Sequence, residues 1–198
     1  MDEPVRVLST LALKGAVSHL AGHYVAAGGA RIEADFAPTL ALLDRLRAGE
    51  AADVVILTRE GLDEVVREGR VTAASCVDLA RSYVGLAVRA GEPHPDISTE
   101  PGLRAALLGA HAVIIPQGFT AERLAAGEAD LAVQQISELK QVGGIEVIGP
   151  IPHQLQTAAV FSAGCMAASP RAAQSDRLLR YLASPEVAAA LRESGLEP

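Results

Sequence analysis

Four hydroxyls stand where an apolar strand pattern gives way to a helical one. Ser9 and Thr10 follow "VRVL", Thr39 follows "ADFAP", and Thr58 follows "VVIL". Two kinds of chemistry fit residues of this type at such junctions. Ser and Thr are favoured helix N-caps, which is a purely structural role. A hydroxyl beside the unpaired amides of a helix N-terminus is also an anion site. One junction of this kind carries little information. Three on consecutive strands point to one shared anion site, with Ser9, Thr10, Thr39 and Thr58 as candidate ligand contacts.

Gln117 and Gly118 precede the helical stretch "FTAERLAAGEAD", and glycine there lets a ligand approach free backbone amides closely. Gln135 ends the apolar run "LAVQQ", where a buried amide must find partners. Gln134 and Gln135 can donate to carboxylates as readily as to metal oxyanions. Lys14 falls in the first turn of the first helix, either beside an anion or simply solvated. His19 and His23 share a helix face at metal-ligand spacing, but no acidic or Cys partner lies near them in sequence. They read as surface residues, and no metal is expected. Cys76 and Cys165 have no metal spacing and read as buried free thiols. No GxSxG, CxxC, dinucleotide fingerprint or P-loop is present, so no catalytic residue and no cofactor is assigned.

These residues need elements to position them. Through the first eighty residues, strand and helix patterns alternate. "VRVLS", "RIEADFA" and "ADVVILT" read as strands; "LALKGAVSHLAGHYVAA", "TLALLDRLRAG" and "REGLDEVVREG" read as helices. That alternation implies a parallel sheet covered by helices, with ligands at the carboxyl ends of its strands. Beyond "VDLARS" the expected strands are "YVGLAVRAG", "HAVIIPQG", "LAVQQ", "IEVIGPIP" and "TAAVFSAGCMA". "LRAALLGA" and "ISELKQ" are short helices. Ser169-Pro170 and Ser184-Pro185 each read as the start of a tail helix.

Composition excludes some partners. The chain has 198 residues, 49% of them hydrophobic, no Trp, and a net charge of −7 spread without long runs. That argues against nucleic acid and anionic membrane as partners, but not against a small anion bound by backbone amides. No stretch is long and apolar enough to span a bilayer. "MDEPVRVLST" shows neither the basic nor the apolar region of a signal peptide.

"VRVLSTLALKGAV", "LLDRLRAGEAADVVIL", "GEADLAVQQISEL", "IEVIGPIPHQLQ" and "LLRYLASPEVAAALRESGLEP" together resemble the molybdate-binding-like branch of type II periplasmic solute-binding proteins. The resemblance runs through nearly the whole chain, in order. It implies an α/β fold of two lobes, each a parallel-rich sheet flanked by helices. Lobe 1 would be residues 1–80 plus 169–198, and lobe 2 residues 81–168. It implies capture of a small anion, a molybdate-like oxyanion or a small organic carboxylate, for an ABC transporter permease in the periplasm. Absence of a signal peptide makes the cytoplasm the alternative. Other functions open to the family are isomerisation of small tricarboxylic acids such as aconitate, and anion sensing without transport.

The chain departs from the family pattern at two places. Ala112 runs directly into "VIIPQG", where relatives insert a strand-plus-helix unit of roughly 30 residues. Lobe 2 is therefore expected to be shortened, with an exposed sheet edge or a second chain covering it in a dimer. Molybdate binders also place a Ser where this chain has Ala12, and a Tyr where it has Gln135. A small organic acid suits those substitutions at least as well as a metal oxyanion.

Overall fold

A computed structural model describes residues 3–115 and 120–198. The chain forms two compact units. One runs through Arg81 and resumes from Ala159 to Pro198; the other is Ser82–Ala158.

In the first unit, β1 (Val5–Thr10), a 3-10 turn (Leu11–Leu13), α1 (Lys14–Ala26), β2 (Ile32–Ala37), α2 (Thr39–Arg47), β3 (Val54–Thr58) and α3 (Arg59–Arg67) follow in order. β4 (Val77–Ser82), a strand that the sequence patterns did not reveal, leads into the second unit. The sheet order is β2-β1-β3-β9-β4, where β9 is Ala159–Cys165. β1 pairs parallel with both β2 and β3, as the alternation requires. β9 runs antiparallel to β3, with Leu57 opposite Ser162.

That pairing moves a boundary. Residues 159–168, which the sequence reading gave to lobe 2, lie with the first unit because β9 completes its sheet. Alternate strand positions feed two cores. Val5, Val7, Val54, Ile56 and Phe161 face one side, with α1, α7 (Ala172–Leu182) and α8 (Ala188–Glu193). Leu8, Val55 and Leu57 face the other, with α2 and α3.

The carboxylate of Asp53, 2% exposed, ties the chain's return to the sheet. It accepts the Arg6 N–H at 2.8 Å and the Ser169 hydroxyl at 2.6 Å, with the Arg171 guanidinium 3.4 Å away. Ser169 Oγ also accepts the Arg171 N–H. With Ser169 so engaged, α7 begins at Ala172, two residues beyond the expected Pro170. The second tail element starts as expected at Ser184-Pro185, but as a 3-10 turn leading into α8. Both thiols are free; Cys165 is buried and Cys76 only half-buried.

The second unit contains β5 (Val84–Arg89), α4 (Glu100–Gly109), β6 (Val113–Ile114), α5 (Thr120–Ala125), β7 (Leu131–Gln135), α6 (Ile136–Leu139) and β8 (Ile145–Pro150). Its sheet order is β6-β7-β5-β8. Among the described residues only β6 and β7 are parallel; β5 is antiparallel to both its neighbours. The parallel-rich expectation therefore describes the first unit and not the second. Leu86, Val88, Leu103 and Leu131 pack on one face, and Ala87, Leu124, Ala132 and Leu139 on the other. The Gln156 amide works as an extra rung, accepting the Val84 N–H and donating to the Val84 carbonyl. Edge strand β6 is two residues long; Leu108 on α4 is 74% exposed and Ile115, just after β6, 58%.

Candidate anion site

The carboxyl ends of β2, β1 and β3 lie side by side, with Thr10 opposite Ala37 and Ser9 opposite Ile56. The sequence-predicted hydroxyls thus share one sheet edge. Their hydrogen bonds separate them into two kinds.

Thr39 and Thr58 form one cluster. Thr39 Oγ1 accepts the Thr58 N–H at 3.3 Å, and Thr58 Oγ1 accepts the Gly61 N–H at 3.3 Å, capping α3. Each hydroxyl spends a lone pair on the backbone. Neither O–H has an acceptor among the described residues, so both remain free to donate. Gly61 is required for the approach of α3 to α2: a Cβ there would stand 2.6 Å from Thr39 Cγ2. The first turn of α2 has no side-chain cap and no acidic residue, leaving its positive end uncompensated. Two half-buried O–H donors therefore stand beside that end.

Ser9 and Thr10 behave differently. Ser9 is completely buried, and its O–H goes to the Thr10 carbonyl at 3.2 Å, so its donor is already used. Thr10, 5% exposed, precedes a 3-10 turn and makes no side-chain cap. Lys14 is exposed at the start of α1. Ser162 is fully buried and donates to Asp78 at 2.6 Å; with Arg59 it holds that carboxyl below the ordinary carboxylate range. The His19 and His23 rings stack with centroids 5.0 Å apart, and no metal-holding group of His, Cys, Asp or Glu exists among the described residues.

In the second unit, Gln135 ends β7 opposite Val84, and its buried Oε1 has no partner among the described residues. Gln134 precedes it, with Nε2 donating to Glu138 and Oε1 buried without a partner among the described residues. Sequence reasoning missed Glu138, although its four-residue spacing from Gln134 was legible. Burial pushes its carboxyl above the ordinary range against the lowering effect of Gln134, and Glu122 adds like-charge repulsion. Ser137 meets Ser82 at 3.2 Å. Gln117 and Gly118 lie outside the described residues.

A family model described as bacterial extracellular solute-binding protein matches residues 5–121 and 112–197. The chain belongs to that family. This solute-binding protein is 33% identical to an aconitate isomerase from Pseudomonas sp., over 97% of its own length and 87% of the relative's. Its fold matches the periplasmic molybdate-binding protein of Azotobacter vinelandii, with a TM-score of 0.79, 14% identity, and 98% and 99% of the two chains covered. It also matches the sulfate-binding protein of Mycobacterium tuberculosis, with a TM-score of 0.72, 13% identity, and 100% and 87% covered. The expected solute-binding family and two-lobed α/β fold are borne out, and the likeness to the molybdate-binding structures is one of fold. The match to the Pseudomonas relative spans 227 residues, more than the 198 of this solute-binding protein, so that relative carries residues with no counterpart here. Both segments matched by the family model include the Ala112-Val113 junction.

Proposed function

We propose that this solute-binding protein captures a small organic polycarboxylate, of the aconitate and citrate class, outside the cytoplasmic membrane and presents it to an ABC transporter. The observation that carries the reading is the Thr39–Thr58 pair, two O–H donors with no acceptor among the described residues, beside an uncapped helix start. Neutral donors suit a chain with a net charge of −7, because the anion is held by dipoles and needs no cationic side chain. Donors alone select an ionised group over a protonated one. A carboxylate in place of a metal oxyanion is supported by the 33% identical relative named for aconitate, and by Ala12 and Gln135 where molybdate binders differ. Thr10 completes the edge, while Ser9 supports it through the Thr10 carbonyl.

The same relative favours a second reading, in which the bound tricarboxylate is isomerised. Calorimetry against trans-aconitate, cis-aconitate, citrate, molybdate and sulfate tests the first, and the ultraviolet absorbance of aconitate over time tests the second. Tight binding of a carboxylate with static absorbance supports capture, and a changing isomer ratio supports the enzyme. Preference for molybdate or sulfate overturns the carboxylate assignment.

A further inference from the structure

We propose that a cavity in the first unit, at the amino ends of β1 and β3, holds a small zwitterion, an aliphatic α-amino acid, between Arg6 and Glu33. The proposal goes beyond anion capture and uses none of the residues assigned to it.

The cavity measures about 830 Å³, within the range of small-molecule sites, and all of its lining residues belong to the first unit. Arg6 and Glu33 form its sheet wall; residues 49–53 and 166–168 form others. Arg6 is the second residue of β1 and Thr10 the last, so the cavity lies about 13 Å along the strand from the hydroxyl edge.

Arg6, Arg70 and Arg171 line this space together with Glu3, Glu33, Glu50 and Asp53. Most of these charges are engaged within the chain. Arg171 pairs with Glu3 and Asp53, and Arg70 bonds to Glu68 and to the Leu46 carbonyl. Arg45 holds both oxygens of Glu50, at 2.7 and 2.6 Å. Arg6 and Glu33 are different. Both are exposed, and neither side chain has an ion-pair or hydrogen-bond partner among the described residues. They stand opposite each other in the parallel register of β1 and β2, so they face the same side of the sheet. Their strands run about 4.8 Å apart. Asp53 fixes the Arg6 backbone from both sides, accepting its N–H at 2.8 Å and donating to its carbonyl at 2.9 Å. A guanidinium and a carboxylate held side by side fit a molecule that carries both charges. Its carboxylate meets the Arg6 fork and its ammonium meets Glu33.

A ligand of one sign fits less well. α2 and α3 both end at the cavity, where Gly49 and Gly69 line it, and the negative ends of those helices oppose a second carboxylate. Arg70 and Arg171 oppose a bare cation. Leu46, Ala51, Ala52, Met166 and Ala167 supply apolar surface for a side chain of a few carbons.

The test is calorimetry of the intact chain with L-valine, L-leucine and L-methionine. Two analogues of leucine accompany them: 4-methylpentanoate, which lacks the ammonium, and 3-methylbutylamine, which lacks the carboxylate. At least one amino acid should bind, and for leucine each analogue should bind at least tenfold more weakly. Arg6→Gln and Glu33→Gln, both at exposed positions, should each weaken amino-acid binding at least tenfold and leave the affinity for trans-aconitate unchanged. Saturating trans-aconitate should not displace the amino acid. The proposal is overturned if none of the three amino acids binds, or if the analogues bind as tightly as leucine. It is equally overturned if binding survives both substitutions, or if trans-aconitate competes. None of these results bears on carboxylate capture, which the binding of trans-aconitate alone decides.

Discussion

Thr39→Val separates a hydroxyl that binds ligand from one that only holds the fold. Valine keeps the branched shape and the methyl that lies against Gly61, so packing is preserved. Two things are lost: the acceptor for the Thr58 N–H at 3.3 Å, and the O–H donor. The first is a stability term. A half-buried N–H without its partner costs about 1–2 kcal/mol, which for a chain of this size lowers Tm by roughly 2–8 °C. The second is an affinity term. A neutral donor to an ionised acceptor is worth about 1.5–3 kcal/mol, which corresponds to a loss of roughly 10- to 150-fold in Kd. Thermal unfolding in the absence of ligand reads the first, and calorimetry with trans-aconitate reads the second. Thr39→Ser, which restores both atoms, should recover most of the affinity. Normal affinity in a destabilised Thr39→Val protein would refute the argument, because it would reduce the hydroxyl to a strut between α2 and β3.

Other perturbations probe the surrounding framework. Gly61→Ala gains about 1 kcal/mol of helix propensity but puts its Cβ 2.6 Å from Thr39 Cγ2, an overpacking cost of about 1–3 kcal/mol. Calorimetry should show weakened binding, and thermal unfolding a net loss of stability of up to about 2 kcal/mol; full affinity would mean the Thr39 position does not matter. Asp53→Ala strands the Arg6 N–H, the Ser169 hydroxyl and the Arg171 guanidinium, and should cost about 3–5 kcal/mol in urea unfolding. A loss under about 1 kcal/mol would show that the carboxylate is not the tie it is taken to be. Hydrogen exchange should find the second unit less protected than the first, since its edge strand β6 has two residues and Leu108 on α4 and Ile115 after β6 are exposed. Equal protection in a proven monomer would contradict the reading of a shortened sheet.

Local chemistry was legible in the sequence wherever it depended on neighbours along the chain. Period-two and period-3.6 patterns placed β1, β2, β3 and the helices between them, because each pattern reports which face of its own element is buried. The hydroxyls at 10, 39 and 58 could be assigned to one sheet edge because alternating strands and helices force parallel pairing. The likeness of "GEADLAVQQISEL" and its companions to solute-binding proteins was legible for the same reason. Contacts between distant residues decided the rest. β9 carries no mark saying that it pairs with β3, and a strand's alternation is the same whichever sheet it joins, so the boundary near 158 needed the fold. Edge strand β4 alternates too little to announce itself. Ser9 and Thr39 look alike in sequence; only the structure shows one O–H spent on a carbonyl and the other left free. Glu138 became notable because folding half-buries it against Gln134, with the like charge of Glu122 acting on it, and burial of a charge is a property of tertiary surroundings that no local pattern encodes.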